Sequence, residues 1–280
     1  MTPSVHPYGA DPAQFLELTL PPPVQELNGS AVLSEHPVGE APAPVVVVLH
    51  GGFWRARYGI ELARPLAADL AARGWAAVAV EYRRVGAGGG WPQTLTDVAT
   101  AIDLLPDLTD AARLDLADVT VIGHSAGGHL AAWVAGRHQL PAGAPGAGPR
   151  VTVSAAVLQA GVLDLDRGHA QRLGAAAVAD FLGGGPDAVP ERYAAADPVR
   201  LLPTGAAVLC VHGTGDDTVP LEQSRRYAAA ATAAGDRVEV AAVPGDHMGV
   251  IDPASDAWQL TVGWLMGRRT AAPDRTTLGS

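Results

Sequence analysis

Apolar residues in this chain fall into short near-continuous runs, separated by stretches in which they recur every three or four positions. Six runs predict strands: Val45 to Leu49, Trp75 to Tyr82, Val119 to His124, Val151 to Leu158, Ala207 to His212 and Arg237 to Val243. A strand that is apolar at successive positions is covered on both faces. The intervening stretches read as helices. Leu62, Leu66 and Leu70 mark one over Ile60 to Arg73, which Gly74 ends, and Leu95, Val98, Ile102 and Leu105 mark another over Thr94 to Leu105. Further helices are expected from Ser125 to about Gln139, from Leu221 to Ala234 with Gly235 as the stop, and from Ala254 to Met266. Strands alternating with helices imply βαβ units, so the expected fold is α/β, a mostly parallel central sheet with helices on both faces.

The flanks follow other rules. Residues 1–44 are proline-rich; Phe15 to Leu20 alternates weakly, Pro21-Pro22-Pro23 closes it and Asn28-Gly29 offers a turn, which predicts edge strands and loops of the same domain. The core then spans 45–267. Within it, 161–203 carries one short helix ending near Leu182 and no long period, which suggests an insertion over the sheet and a candidate partial lid. Residues 268–280 are expected to form a flexible tail.

Composition agrees with a folded single domain: 280 residues, 48% hydrophobic and only 17% charged. The formal net charge is −10 and all 19 basic residues are arginine, which disfavours binding to nucleic acid or to an anionic membrane surface. The lack of lysine rules out Schiff-base chemistry, a Ser-Lys dyad and a phosphate-binding loop lysine. The one cysteine, Cys210, sits in an apolar run and reads as a core residue, so no internal disulfide or thiolate cluster is expected. The nine histidines are dispersed, with no His-x-His or His-x-x-x-His pair beside a carboxylate, and neither a metal nor a cofactor is expected. No signal-peptide pattern and no run of 18 apolar residues is present, which makes the cytoplasm the expected location.

The chemistry gathers around Gly123-His124-Ser125-Ala126-Gly127, where an apolar strand breaks into a Gly-x-Ser-x-Gly turn and then an alanine-rich helix. A serine at the apex of such a turn stands exposed above a sheet edge, the arrangement of a nucleophile elbow. The simpler reading is a serine that caps the next helix. Four other strand ends carry polar or glycine-rich loops: His50-Gly51-Gly52-Phe53-Trp54, Gly88-Gly89-Gly90-Trp91-Pro92, His212 to Pro220, and Gly245-Asp246-His247. In an open parallel sheet a ligand sits beyond the carboxyl ends of the strands, where these loops meet.

Together these motifs resemble the α/β-hydrolase superfamily over about Val45 to Leu265, with its chain order of serine, acid, histidine. The pairing of His-Gly-Gly-x-Trp with Gly-His-Ser-Ala-Gly-Gly-His-Leu is similar to the branch of kynurenine formamidase (arylformamidase) and small carboxylesterases. The resemblance implies Ser125 as nucleophile, His247 as base and Asp216 as orienting acid, counted back from Val219-Pro220; Asp217 is the rival acid, otherwise a cap or loop residue. It also implies an oxyanion hole from the backbone N–H groups of Ala126, Gly52 and Phe53. His50 and His212 are expected to bond loop backbone, while His124 and His129 are expected to pack and hydrogen-bond around the nucleophile. Trp54, Tyr82 and Trp91 either line a substrate pocket or cover the seam between helices and sheet.

The implied activity is hydrolysis of a carboxylic ester or formyl amide, without cofactor, on a small-molecule substrate. A small peptidase or amidase related to prolyl oligopeptidase catalytic domains is the alternative, and a non-catalytic ligand-binding module a further one. The natural substrate and the oligomeric state stay open.

Overall fold

Val45 to Leu49 is the centre of the sheet because it pairs on both sides with chain that is equally apolar. The computed structural model describes residues 1–22 and 41–271. Its strands are β1 (Ser4–Pro7), β2 (Phe15–Thr19), β3 (Ala43–Leu49), β4 (Ala76–Val80), β5 (Leu114–His124), β6 (Ala155–Gln159), β7 (Ala207–Gly213) and β8 (Arg237–Val243). They form one sheet in the order β1-β2-β4-β3-β5-β6-β7-β8. β1 and β2 are antiparallel, and every pairing from β4 to β8 is parallel. Val47 lies opposite both Val78 and Val121, which fixes the register of the three central strands.

Successive strand side chains point to opposite faces, so each central strand feeds two cores. Val45, Val47 and Leu49 pack with α2 (Gln93–Asp103) and α3 (Ala126–Gly136) on one face, together with Tyr227 of α7 (Glu222–Ala233). Val46 and Val48 pack with α1 (Arg64–Ala72) and α8 (Asp256–Ala271) on the other. Each fully buried valine contributes about 1.5–3 kcal/mol, so four in succession hold this strand firmly.

The α/β expectation of a mostly parallel sheet with helices on both faces is met, and the element bounds move slightly. The run expected as a strand from Val151 enters the sheet only at Ala155, and the helix after Ser125 becomes a 3-10 turn from Arg137. Residues 161–203 hold three short helices, α4 (Leu165–Ala170), α5 (Leu173–Leu182) and α6 (Pro190–Ala196), where the sequence predicts one. α5 opens with Gly174, Ala175 and Ala176 in left-handed backbone before it becomes a regular helix. The last helix runs on through Arg268 and Arg269 to Ala271, so a tail beginning at 268 is a correction: arginine is a good helix former and nothing at Gly267 stops the turn. The expected Asn28-Gly29 turn and positions 272–280 of the expected tail lie outside the described residues. Among the described residues no helix is long and apolar enough to cross a membrane.

Candidate active site

β5 delivers Ser125 by a turn that only small neighbours permit. Ser125 has φ 57° and ψ −117°, a left-handed conformation that costs a non-glycine residue about 1–3 kcal/mol. Gly123 and Gly127 allow the chain to close behind it: a Cβ on Gly123 would strike the Gly127 carbonyl, and one on Gly127 would strike the carbonyl oxygens of Leu49 and His50. The Ser125 N–H donates to the Gln159 carbonyl at 2.8 Å, which ties the turn to β6. The serine therefore does more than cap α3, and its side chain makes no capping bond to that helix.

The loop after β7 delivers Asp216. Asp216 Oδ1 accepts the backbone N–H of Thr218 at 2.9 Å and of Val219 at 2.8 Å, while Oδ2 lies 2.7 Å from His247 Nδ1. The same Oδ2 is 3.3 Å from His212 Nε2. Burial of this carboxyl alone would raise its pKa; the hydrogen bonds from His212, His247 and Val219 outweigh that and hold it well below the ordinary carboxylate range. Asp217 is exposed and reaches only the neighbouring Thr218 hydroxyl, at 3.1 Å.

β8 delivers His247 through the loop at Gly245, whose φ of 132° lies outside the range of most side chains. With Nδ1 facing a carboxylate, that nitrogen carries the proton, leaving Nε2 as a lone pair. Ser125 and His247 line one cavity of about 320 Å³. No hydrogen bond joins the Ser125 hydroxyl to His247 in this structure. Such contacts tighten when substrate binds.

Four more histidines, His50, His124, His129 and His212, each bond a backbone carbonyl. His124 Nε2 donates to the His247 carbonyl at 2.8 Å, and the two rings lie 4.5 Å apart. Burial first, then the neighbouring His247, pushes the His124 pKa down to about 3. His129 Nε2 donates to the Ala196 carbonyl at 2.9 Å, and burial pushes its pKa down to about 4. His212 donates from Nε2 to the Val219 carbonyl at 2.8 Å and takes the Ser224 hydroxyl on Nδ1 at the same distance. His50 bonds the Gly51 carbonyl at 2.8 Å and Glu81 at 3.0 Å.

The loop after β3 arrives at the same cavity, whose wall includes Gly52 and Phe53. Phe53 and Trp54 are both left-handed, with φ 53° and 55°. Ala126 begins α3, so its N–H has no intrahelical acceptor. Of the three residues expected to supply oxyanion donors, Gly52 and Phe53 line the cavity with Ser125, and Ala126 is the residue that follows it. Among the described residues no cluster of three His, Cys, Asp or Glu side chains could hold a metal.

The aromatic residues divide differently from the pocket reading. Trp54 and Tyr82 are fully buried: the indole stacks on Phe181, and the Tyr82 hydroxyl donates to the His50 carbonyl at 2.7 Å. Trp91 is half-buried against the core, its N–H bonded to the Phe181 carbonyl. None of the three reaches the cavity. All three pack into or against the core under the loops, and at Trp54 this goes with a left-handed backbone. Tyr58, Leu62 and Met248 take their place on the cavity wall, beside Asp217, Thr218 and Asp246.

Sequence reasoning also passed over Glu81, which accepts bonds from His50, the Arg84 guanidinium and the N–H groups of Tyr82 and Ile60. A carboxylate directly after an all-apolar strand was the available signal. Burial opposes its charge, yet His50 and the two N–H groups prevail and its pKa is lowered.

Comparison with known proteins finds proteins named as esterases among both the relatives and the structural neighbours of this chain. A family model described as BD-FAE matches residues 33–230. Esterase LipC of Mycobacterium tuberculosis (strain ATCC 25618 / H37Rv) is 32% identical over 234 residues, covering 79% of this chain and 52% of LipC. The chain spans about half the length of the curated relatives it matches. Among solved structures, a truncated form of a carbohydrate esterase from gut microbiota superposes with a TM-score of 0.76 at 20% identity, covering 96% of this chain and 97% of that one. The butyrate-bound esterase Est2 of the Planctomycetes species Thermogutta terrifontis superposes at 0.73 with 23% identity, covering 97% and 96%. At these identities the structural likeness establishes the fold, the α/β-hydrolase arrangement.

Proposed function

This chain belongs to the BD-FAE family, and from that premise we propose that it is a serine hydrolase that cleaves carboxylic esters of small molecules through an acyl-enzyme. Ser125 is the nucleophile, His247 the general base and Asp216 the carboxylate that orients it. The observation that carries this reading is the 2.7 Å contact of His247 Nδ1 with a buried carboxylate, on the wall of the cavity that also holds a serine in a strained elbow.

The steps follow from where the protons sit. With Nδ1–H bonded to Asp216, Nε2 of His247 takes the Ser125 proton as Oγ attacks the ester carbonyl carbon. The oxygen of the tetrahedral intermediate becomes negative and is met by the N–H groups of Ala126 and Phe53, with Gly52 in support. Each such donor was worth about 10² to 10³ in rate where one was removed from another hydrolase. The intermediate collapses, the alcohol leaves with the proton from Nε2, and a water molecule repeats the sequence to release the acid. The pKa of Asp216, held low, keeps it ionised throughout and ready to stabilise the imidazolium.

Esters are favoured over formyl amides because the curated relatives are named as esterases or, for LipM, a probable carboxylic ester hydrolase. A cavity of about 320 Å³ suits a short acyl chain. A fluorophosphonate probe is expected to label the wild type and leave Ser125→Ala unlabelled. The same pair is then assayed on p-nitrophenyl esters of increasing chain length, N-formylkynurenine and a peptide amide. Folded wild type that neither labels nor turns over an ester overturns the reading; turnover of the formyl amide above the esters moves it to the arylformamidase side.

A further inference from the structure

Two consecutive non-glycine residues in left-handed backbone, Phe53 and Trp54, sit in the loop that carries the proposed oxyanion donors. Such a turn does not persist unless the surroundings hold it. The holding contacts converge on Trp54. Its indole stacks on Phe181 of α5, with ring centres 4.7 Å apart and planes within 11°. The indole Nε1–H donates to His129 Nδ1 at 3.2 Å. The Trp54 carbonyl accepts the Val85 N–H at 2.8 Å.

His129 is suited to receive that bond. It lies in the first turns of α3, the helix that starts at the residue after Ser125, and is fully buried. Its Nε2 faces the Ala196 carbonyl, which can only accept, so Nε2 carries the proton and Nδ1 is left as the acceptor for Trp54. Burial keeps the ring neutral at working pH. α5 adds a second hold on the same loop: Gly174 lies directly against the Phe53 ring, and Arg55 pairs with Asp180 at 2.7 Å and with the Ala175 carbonyl at 3.2 Å.

We propose that the Trp54–His129 hydrogen bond, backed by Phe181, is the clamp that sets the Phe53 N–H at its distance from the Ala126 N–H, which makes His129 a positioning residue for the oxyanion hole. One donor belongs to the loop after β3 and the other to α3, and the indole-to-imidazole bond is the direct side-chain link between those two elements. The 161–203 segment then serves to brace the oxyanion loop from outside through α5, and the Ala196 carbonyl at the end of α6 fixes the His129 tautomer. This inference rests on the serine hydrolase reading above.

The test separates the two. Wild type is first required to label with the fluorophosphonate and to hydrolyse p-nitrophenyl butyrate; failure there overturns the hydrolase reading, and with it the clamp. Given active wild type, His129→Leu and Trp54→Phe are compared with His129→Asn, whose amide oxygen lies near the position of Nδ1 and keeps an acceptor for the indole. Leu and Phe variants are expected to lose about 10- to 100-fold in kcat with KM within about twofold, up to the scale of one lost oxyanion donor. His129→Asn is expected to recover most of that loss. The double variant should fall no further than His129→Leu alone, since both remove one bond.

The decisive readout compares an ester with its thionoester, whose sulfur is a poor hydrogen-bond acceptor. The ratio of their rates is expected to shrink in His129→Leu and Trp54→Phe and to stay near wild type in His129→Asn. Folded variants with unchanged kcat, or with lower kcat at an unchanged ratio, overturn the clamp. Should His129→Leu fail to fold, Trp54→Phe and His129→Asn decide the matter alone.

Discussion

Replacing Asp216 by asparagine changes one atom and tests the order of the whole site. The two oxygens of Asp216 are not equivalent: Oδ1 accepts two backbone N–H groups, from Thr218 and Val219, and Oδ2 accepts from His247 Nδ1. An asparagine keeps its carbonyl oxygen where the two N–H donors are, which turns its NH₂ toward His247. An NH₂ cannot accept the Nδ1 proton, so the imidazole shifts to the Nε2–H tautomer and loses the lone pair that takes the serine proton. In another serine hydrolase this exchange costs about 10⁴ in kcat, or about 5.5 kcal/mol. A separate estimate agrees in scale: a carboxylate and an imidazolium with charges about 4 Å apart attract by about 4 kcal/mol at an effective dielectric of 20. Asp217→Asn removes an exposed charge with one contact to Thr218, worth about 0.2–1 kcal/mol and less than about fivefold in rate. The assay is kcat on p-nitrophenyl butyrate, with active sites counted by fluorophosphonate burst. If Asp217→Asn loses more than Asp216→Asn, or if Asp216→Asn retains a tenth of wild-type activity, the assignment of the acid fails.

Gly127→Ala is expected to abolish activity and lower the melting temperature, because its Cβ meets the carbonyl oxygens of Leu49 and His50, which cannot move without breaking β3; calorimetry beside a kcat measurement checks both. Acid should weaken the fold. The pKa values of His124 and His129 are pushed down by burial, to about 3 and about 4, so between those values and an ordinary imidazole pKa of about 6.5 the unfolded chain binds protons that the folded chain refuses. Their contribution is complete above pH 6.5 and is lost as pH falls toward 4, about 3 kcal/mol for His129 over that span. Asp197, raised by burial to about 7, acts in the opposite sense: its proton is retained on folding, so its contribution is complete below about 4 and is lost as pH rises through 7. Two histidines against one carboxyl leave a net loss, so the melting temperature should drop between pH 6.5 and 4.5, more steeply in Asp197→Asn; a flat profile would count against neutral buried histidines. Asp217 and Asp246 are the charged side chains on the cavity wall besides the proposed His247 base. A neutral butyrate ester should therefore outrun one whose alcohol carries a carboxylate, by a margin that narrows with added salt and in Asp217→Asn; equal rates at low salt would refute it.

What could be read from the sequence, and what could not, follows from how local each determinant is. The central parallel strands were legible because a strand buried on both faces must be apolar at every position, and Val45 to Leu49 is. The elbow was legible because Gly123 and Gly127 answer a steric demand made by their own neighbours. His247 could be named from its place after β8 and Asp216 by counting back from Val219-Pro220, and their side chains lie 2.7 Å apart, but what turns Asp216 rather than Asp217 inward is decided only in the folded loop. That choice is made by the N–H groups of Thr218 and Val219. Of the helices of 161–203, α5 was expected, but α4 and α6 escaped because they are only six and seven residues long, and the burial of Leu165 and Tyr193 becomes meaningful only once the sheet beneath them is in place.

The sharpest divergence is at Trp54. Its position in His-Gly-Gly-x-Trp puts it in the loop whose Gly52 and Phe53 line the cavity, which is why the sequence offers it as a pocket residue. Instead Phe53 and Trp54 adopt a conformation that their residue types disfavour, and the indole goes to His129 and Phe181. Residue-by-residue propensity cannot anticipate a conformation imposed from outside the loop. The partners that impose it lie 75 and 127 residues further along the chain, at His129 and Phe181. Ser125 is strained by contrast from within, by glycines two positions away on either side. The proposed nucleophile and the proposed donor at Phe53 thus depend on opposite kinds of information, one local enough to be a motif and the other available only from the folded chain.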